Sequence, residues 1–289
     1  MPEDVTFSHA GASLAGSLAV PDADAPGVVM VGGSGPTDRH NDTYFPPIRD
    51  HLLAAGIAVL SYDKRGVGGS SGDWRDATFD DLAADALAAL DFLRARPGVR
   101  ADAVGLFGHS EGGWVVLRAA AGRDDLPWVI TNSCPGTTPA VQERHALRHA
   151  GDATLAVYDR LCEAGRRDAD LTEATRIAHS APKPNVFSDY WDETDERLWR
   201  FTKRKQDHDP IPDALRLRCP HLAIFGAADE LVPVADSIHL FSTAACHPER
   251  HPLATLSVEL FPHADHRVQV TGTRLAAGYL DTLTRRIHG

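Results

Sequence analysis

A mainly parallel β-sheet flanked by helices, an α/β fold, is predicted for this chain by three observations. Short apolar runs alternate with amphipathic segments, the pattern of strands each followed by a helix. Glycine, proline or polar turns bound the runs. The runs are also continuously apolar, as strands covered on both faces are. In order, Val5-Thr6-Phe7 and Leu14-Ala15-Gly16-Ser17-Leu18 predict a lead-in antiparallel hairpin covering one sheet edge. Val28-Val29-Met30-Val31, Ile57-Ala58-Val59-Leu60, Val104-Gly105-Leu106-Phe107, Trp128-Val129-Ile130 and Leu222-Ala223-Ile224-Phe225 predict five buried strands.

Thr78-x-x-Asp81 reads as a cap ahead of Leu82, Ala86, Leu90 and Leu93, whose spacing places them on one helical face, and Pro97 ends that helix. Leu275, Tyr279 and Leu283 recur every four residues and predict a C-terminal helix docked on the sheet. Residues 137–216 break the alternation. They are rich in Ala, Arg, Asp and Glu and hold Trp191 and Trp199 but no convincing strand, so they are expected to form a helical cap or lid insertion. Residues 1–136 and 217–289 would then form the α/β core.

The 289 residues, 43% hydrophobic and 24% charged, suit one large domain or two small ones with an ordinary soluble core. A net charge of -11 argues against nucleic acid, which is bound mainly through clustered Lys and Arg. Met1-Pro2-Glu3-Asp4 lacks a basic, apolar leader, and no run reaches the roughly 18 apolar residues of a membrane span. The expected address is cytoplasmic, with no membrane partner. Cys134, Cys162, Cys219 and Cys246 are scattered and read as ordinary thiols. Oligomeric state has no signature here.

Gly108-His109-Ser110-Glu111-Gly112 carries the chemistry. A three-letter pattern arises by chance in a Gly-rich chain, but this one lies between a strand and the apolar run Trp114-Val115-Val116-Leu117. There the tight turn exposes the serine hydroxyl above the sheet edge, and the helix N-terminus points N–H groups at a developing oxyanion. A nucleophile so placed needs a base and an orienting acid downstream. Asp229 follows the Leu222–Phe225 strand through Gly226-Ala227-Ala228, with Glu230 and Asp236 as alternative acids. His266 follows Val258-Glu259-Leu260-Phe261 through Pro262-His263-Ala264-Asp265, with His263 as rival. His263, Asp265 and His266 also allow a metal reading, but no H-E-x-x-H arrangement or matched ligand set accompanies them. Gly32-Gly33-Ser34-Gly35-Pro36 is expected to supply a second oxyanion donor, making the pair the N–H groups of Ser34 and Glu111. Its alternative, a phosphate cradle, lacks the lysine of the P-loop pattern.

These motifs, with Leu14-x-Gly16-x-Leu18, Gly33-Ser34-Gly35-Pro36-Thr37-Asp38-Arg39, Tyr62-Asp63-Lys64-Arg65-Gly66-x-Gly68-x-Ser70, Gly226-x-x-Asp229-x-x-Val232-Pro233 and Ala264-Asp265-His266, resemble the α/β-hydrolase superfamily. Within it the chain is similar to the bacterial esterase and acyl-peptidase-like branch. The resemblance spans nearly the whole chain and implies the α/β-hydrolase fold. It implies the same nucleophile, acid, base and oxyanion donors, with Asp63 to Gly68 as a structural loop beneath the site. It also implies a serine hydrolase, carboxylesterase-like, acting without cofactor on a small-molecule ester or thioester. Thioesterase, acyl-peptidase and acyltransferase readings use the same triad, and a non-catalytic binding protein is the reading from another class.

Overall fold

The structure, a computed structural model, describes residues 2–21 and 24–289. β1 (Glu3–His9) and β2 (Ala12–Ala19) form the antiparallel hairpin, and β2 pairs antiparallel with β4 (Ala58–Tyr62). β3 (Ala25–Val31), β5 (Val99–His109), β6 (Val129–Asn132), β7 (His221–Gly226) and β8 (Leu256–Phe261) extend the sheet in parallel, in the order β1-β2-β4-β3-β5-β6-β7-β8. The hairpin therefore adds two strands to the edge it was expected to cover, and all six parallel strands end on one rim.

Alternate residues of the buried strands feed two cores, because side chains alternate across a sheet. Val29 and Val31 of β3 join α2 (Phe79–Arg94) and α3 (Glu111–Ala120) on one face, while Val28 and Met30 join α1 (Phe45–Ala54) and α11 (Tyr279–His288) on the other. α2 begins as its sequence predicts. Thr78 Oγ1 accepts from the Asp81 N–H and the Asp81 carboxylate accepts from the Thr78 N–H, a reciprocal cap. Its face of Leu82, Ala86, Leu90 and Leu93 is buried, each Leu contributing about 1.5–3 kcal/mol of hydrophobic stabilisation. The C-terminal helix is shorter than its four-residue spacing predicts. Leu275 pairs with Gln269 in a small ribbon of β9 (Gln269–Thr271) and β10 (Arg274–Leu275), so its backbone belongs to a ladder and α11 starts at Tyr279.

Between β6 and β7 the chain runs through six helices with no strand among the described residues: α4 (Pro139–Ala146), α5 (Asp152–Arg166), α6 (Leu171–Ala178), α7 (Ser188–Asp192), α8 (Glu196–Lys205) and α9 (Ile211–Leu215). They bury a cluster of their own that includes Tyr158, Leu161, Ile177, Trp191 and Trp199. α10 (Val234–Ala245) follows β7 and packs Phe241 into the sheet core. Among the described residues no helix is long and apolar enough to cross a membrane.

Candidate active site

Ser110 occupies the step from β5 into α3 with φ 53° and ψ -122°, a strained region for a residue with a side chain. The strain is held by backbone on both sides: Ser110 donates its N–H to the Asn132 carbonyl at 2.9 Å, and its carbonyl accepts from Gly113 at 2.8 Å. The flanking glycines are sterically required. A Cβ on Gly108 would lie 2.1 Å from the Gly112 carbonyl oxygen, and one on Gly112 would lie 2.4 Å from that of Val31.

Asp229 and His266 meet at the same rim. His266 Nδ1 lies 2.8 Å from Asp229 Oδ2, with the carboxylate fully buried and the imidazole 17% exposed. Asp229 Oδ1 accepts the N–H groups of Leu231 and Val232, which fix the carboxylate plane. The acid turn and the histidine loop are also laced by backbone, Ala227 donating to Phe261 and Ala228 to Ala264. Asp265 accepts from the Arg267 and Gln269 N–H groups and thereby shapes the histidine loop.

Among the described residues no hydrogen bond joins the Ser110 hydroxyl to His266. Proximity comes through His109, whose ring lies 4.9 Å from that of His266 and 4.8 Å from that of Tyr44. Burial holds His109 well below the ordinary histidine pKa, and the nearby His266 and Arg267 charges add to that. A neutral His109 places no second cation beside an imidazolium on His266.

The Ser34 loop runs against Ser110: a Cβ on Gly33 would lie 3.4 Å from Ser110 Cβ. No acceptor among the described residues takes the backbone N–H of Ser34 or of Glu111. Their side chains do meet, Ser34 Oγ donating to Glu111 Oε2 at 3.3 Å.

Sequence reasoning missed what lies behind Glu111. Its carboxylate is 1% exposed and receives Lys64 Nζ at 2.9 Å and Lys205 Nζ at 3.2 Å. Burial alone would raise its pKa, but the two ammonium groups pull it down to about 2. Asp63 holds Arg39 and the Gly69 N–H in the structural loop, as the resemblance implies, yet Lys64 in that loop reaches the site. The lysine beside Asp63 was visible in the motif. Lys205 lies 94 positions from Glu111 and carries no local signal.

A cavity of about 540 Å³ opens beside Ser34, Gly35 and Pro36. Trp74, Tyr158, Phe187, Trp191, Trp199 and Phe201 make its walls aromatic, with Lys205 and Gln206 among its polar points. The helices that form it are tied to the rim: Gln142 donates to the Leu231 carbonyl and Arg148 to that of Glu230, both on the acid turn.

Residues 10–263 match the X-Pro dipeptidyl-peptidase (S15 family). The mitochondrial palmitoyl-protein thioesterase ABHD10 of Homo sapiens is 21% identical over 245 residues, spanning 85% of this chain and 68% of that protein. Thiohydrolase aneE of Aspergillus aculeatus is 31% identical over 191 residues, spanning 64% of this chain and 55% of its own length. An esterase structure from Pyrococcus furiosus superposes with TM-score 0.67 at 17% identity, covering 100% of this chain and 90% of the other, a likeness of fold.

Proposed function

The chain belongs to the X-Pro dipeptidyl-peptidase (S15) family of α/β-hydrolases, and from that premise we propose a serine hydrolase that cleaves a carboxylic ester with an apolar acyl group. Ser110 is the nucleophile, His266 the base and Asp229 its orienting acid. The observation that carries this reading is the 2.8 Å contact of His266 Nδ1 with the buried Asp229 carboxylate, at the rim where Ser110 sits in its strained turn. An ionised Asp229 accepts from Nδ1–H and so leaves Nε2 free to take a proton. The ring and the hydroxyl tighten into a hydrogen bond when substrate arrives, since catalytic contacts in free enzymes are commonly loose.

In the reaction the Ser110 proton passes to His266 Nε2 while Oγ attacks the carbonyl carbon. The Ser34 and Glu111 N–H groups receive the oxyanion. The tetrahedral intermediate collapses, the alcohol leaves with the proton from His266, and an acyl-enzyme remains. Water then repeats the sequence, giving its proton to His266 and releasing the acid with Ser110 restored. Helices α4–α8 act as a cap whose aromatic cavity takes the apolar group, as apolar pockets with few polar points do.

Thioester cleavage is the second reading, favoured by the names of two relatives, a palmitoyl-protein thioesterase and a thiohydrolase. A matched panel tests both: oxygen esters, thioesters and anilides of one acyl group, from acetyl to palmitoyl. The expected result is kcat/KM rising with acyl length for the ester, with ester cleavage at least as fast as thioester cleavage. Activity confined to the thioesters would select the second reading, and activity on the anilides alone would reject both.

A further inference from the structure

The Glu111 carboxylate is a buried junction of three parts of the chain. Lys64 bridges it to the Ser34 loop, donating to Glu111 Oε1 at 2.9 Å and to the Gly33 carbonyl at 2.6 Å. Ser34 Oγ reaches Oε2 from the same loop, and Lys205 reaches Oε2 from the last residue of α8. Both carboxylate oxygens are thus engaged. The carboxylate belongs to the residue whose backbone N–H opens α3, and the groups holding it flank the second donor peptide. Lys205 is the only one of the three that comes from helices α4–α9. Its ammonium is desolvated by burial, yet the opposite charge of Glu111 keeps it charged. Glu143, partly exposed, stands 4.0 Å away as a further counter-charge.

We propose that Lys205 is a positioning residue: through the Glu111 carboxylate it fixes the distance between the N–H groups of Ser34 and Glu111, so that α8 completes the oxyanion hole. The proposal rests on the reading of those two groups as oxyanion donors. A buried carboxylate that loses one of its two cations must turn or draw in water. Either response moves the peptide at the start of α3, where a shift of about 1 Å costs as much as a hundredfold in rate. Lys205 also lines the aromatic cavity, its ammonium 5.2 Å from the centre of the Phe201 ring, so the two roles are separated with an acyl group too small to reach that wall.

The test is steady-state hydrolysis of p-nitrophenyl acetate, whose acetyl group is too small to fill the cavity. Lys205→Met is expected to lower kcat by about ten- to a hundredfold with KM within about twofold, because the defect lies in transition-state stabilisation. Lys205→Arg is expected to restore most of the rate. In a Glu111→Gln background, Lys205→Met is expected to add little, since its partner is already neutral. Arg204→Ala removes ties of the same helix to the Arg75 and Ala77 carbonyls without touching Glu111, and its kcat is expected to stay near that of the parent. The proposal is overturned by an unchanged kcat in Lys205→Met, by a loss confined to KM, by failure of arginine to rescue, by fully additive losses in the double variant, or by an equal loss in Arg204→Ala. A parent protein whose Ser110 resists a fluorophosphonate would instead sink the reading beneath it.

Discussion

At the sheet rim, position is set by backbone: the Ser110 turn is pinned between the Asn132 carbonyl and the Gly113 N–H, and the acid and histidine loops exchange main-chain hydrogen bonds. Across the cavity, helices α4–α8 reach the core mainly through side chains, with Lys205 on Glu111, Arg148 and Gln142 on the acid turn, and Arg75 on Asp195. Main-chain ties hold whichever side chains are present, whereas side-chain ties are made and lost one residue at a time. On the proposed function, the chemistry resides in the rigid region, with Lys205 reaching it from the adjustable one, and the choice of substrate resides in the adjustable helices.

The comparison breaks first at Ser110, the proposed nucleophile. Ser110→Ala is expected to lower kcat by about 10⁶-fold, and Asp229→Asn by about 10⁴-fold, on any ester, without shifting the melting temperature much; stopped assays beside thermal melts check both. A Gly112→Ala variant is expected to damage stability and rate together. Its Cβ would press within 2.4 Å of the Val31 carbonyl oxygen and 2.5 Å of that of Gly32. Such overpacking costs about 1–3 kcal/mol or more, and displacing the turn lowers kcat by about a hundredfold. Urea titration with ester kinetics reads both effects, and unchanged kinetics would mean that the rim is less constrained than its contacts imply.

Trp199→Ala should act on the other region. The side chain is 2% exposed within the helical cluster and donates to the Ala169 carbonyl at 2.8 Å. Its loss should destabilise those helices by about 3–5 kcal/mol and raise KM for long acyl esters while sparing kcat on acetate. A matched fall in acetate turnover would erase the division of labour between the two regions.

A smaller effect is expected in acid. The Glu111 carboxylate is held at about 2 against an ordinary 4.5, so its stabilisation is complete above pH 4.5 and is lost as pH falls toward 2. Glu111→Gln should be the less stable protein at pH 7, with the gap closing across that window in thermal melts. The smallest effect belongs to the exposed Arg75–Asp195 pair, whose removal by Asp195→Asn should cost under about 1 kcal/mol in urea titration once the Asp195 cap on α8 is allowed for.

The same division explains what could be read from the chain. Backbone constraints leave marks at fixed spacing: glycines around Ser110, the Thr78 and Asp81 cap, the Gly226 to Pro233 turn. Those elements were legible. The Leu275, Tyr279 and Leu283 repeat misled because a four-residue apolar spacing also fits a short ribbon followed by a helix. Lys205 and Arg148 were illegible for a different reason. Each is an ordinary basic residue in a helical region rich in arginine, and only the fold brings it to a partner about 80 to 95 positions away.

The most direct measurement is a fluorophosphonate adduct mapped by peptide mass on the intact protein and on His266→Ala. Rapid labelling of Ser110 alone in the parent, slowed by orders of magnitude in the variant, is the predicted result. An adduct on another serine, or equal labelling without the imidazole, would contradict it.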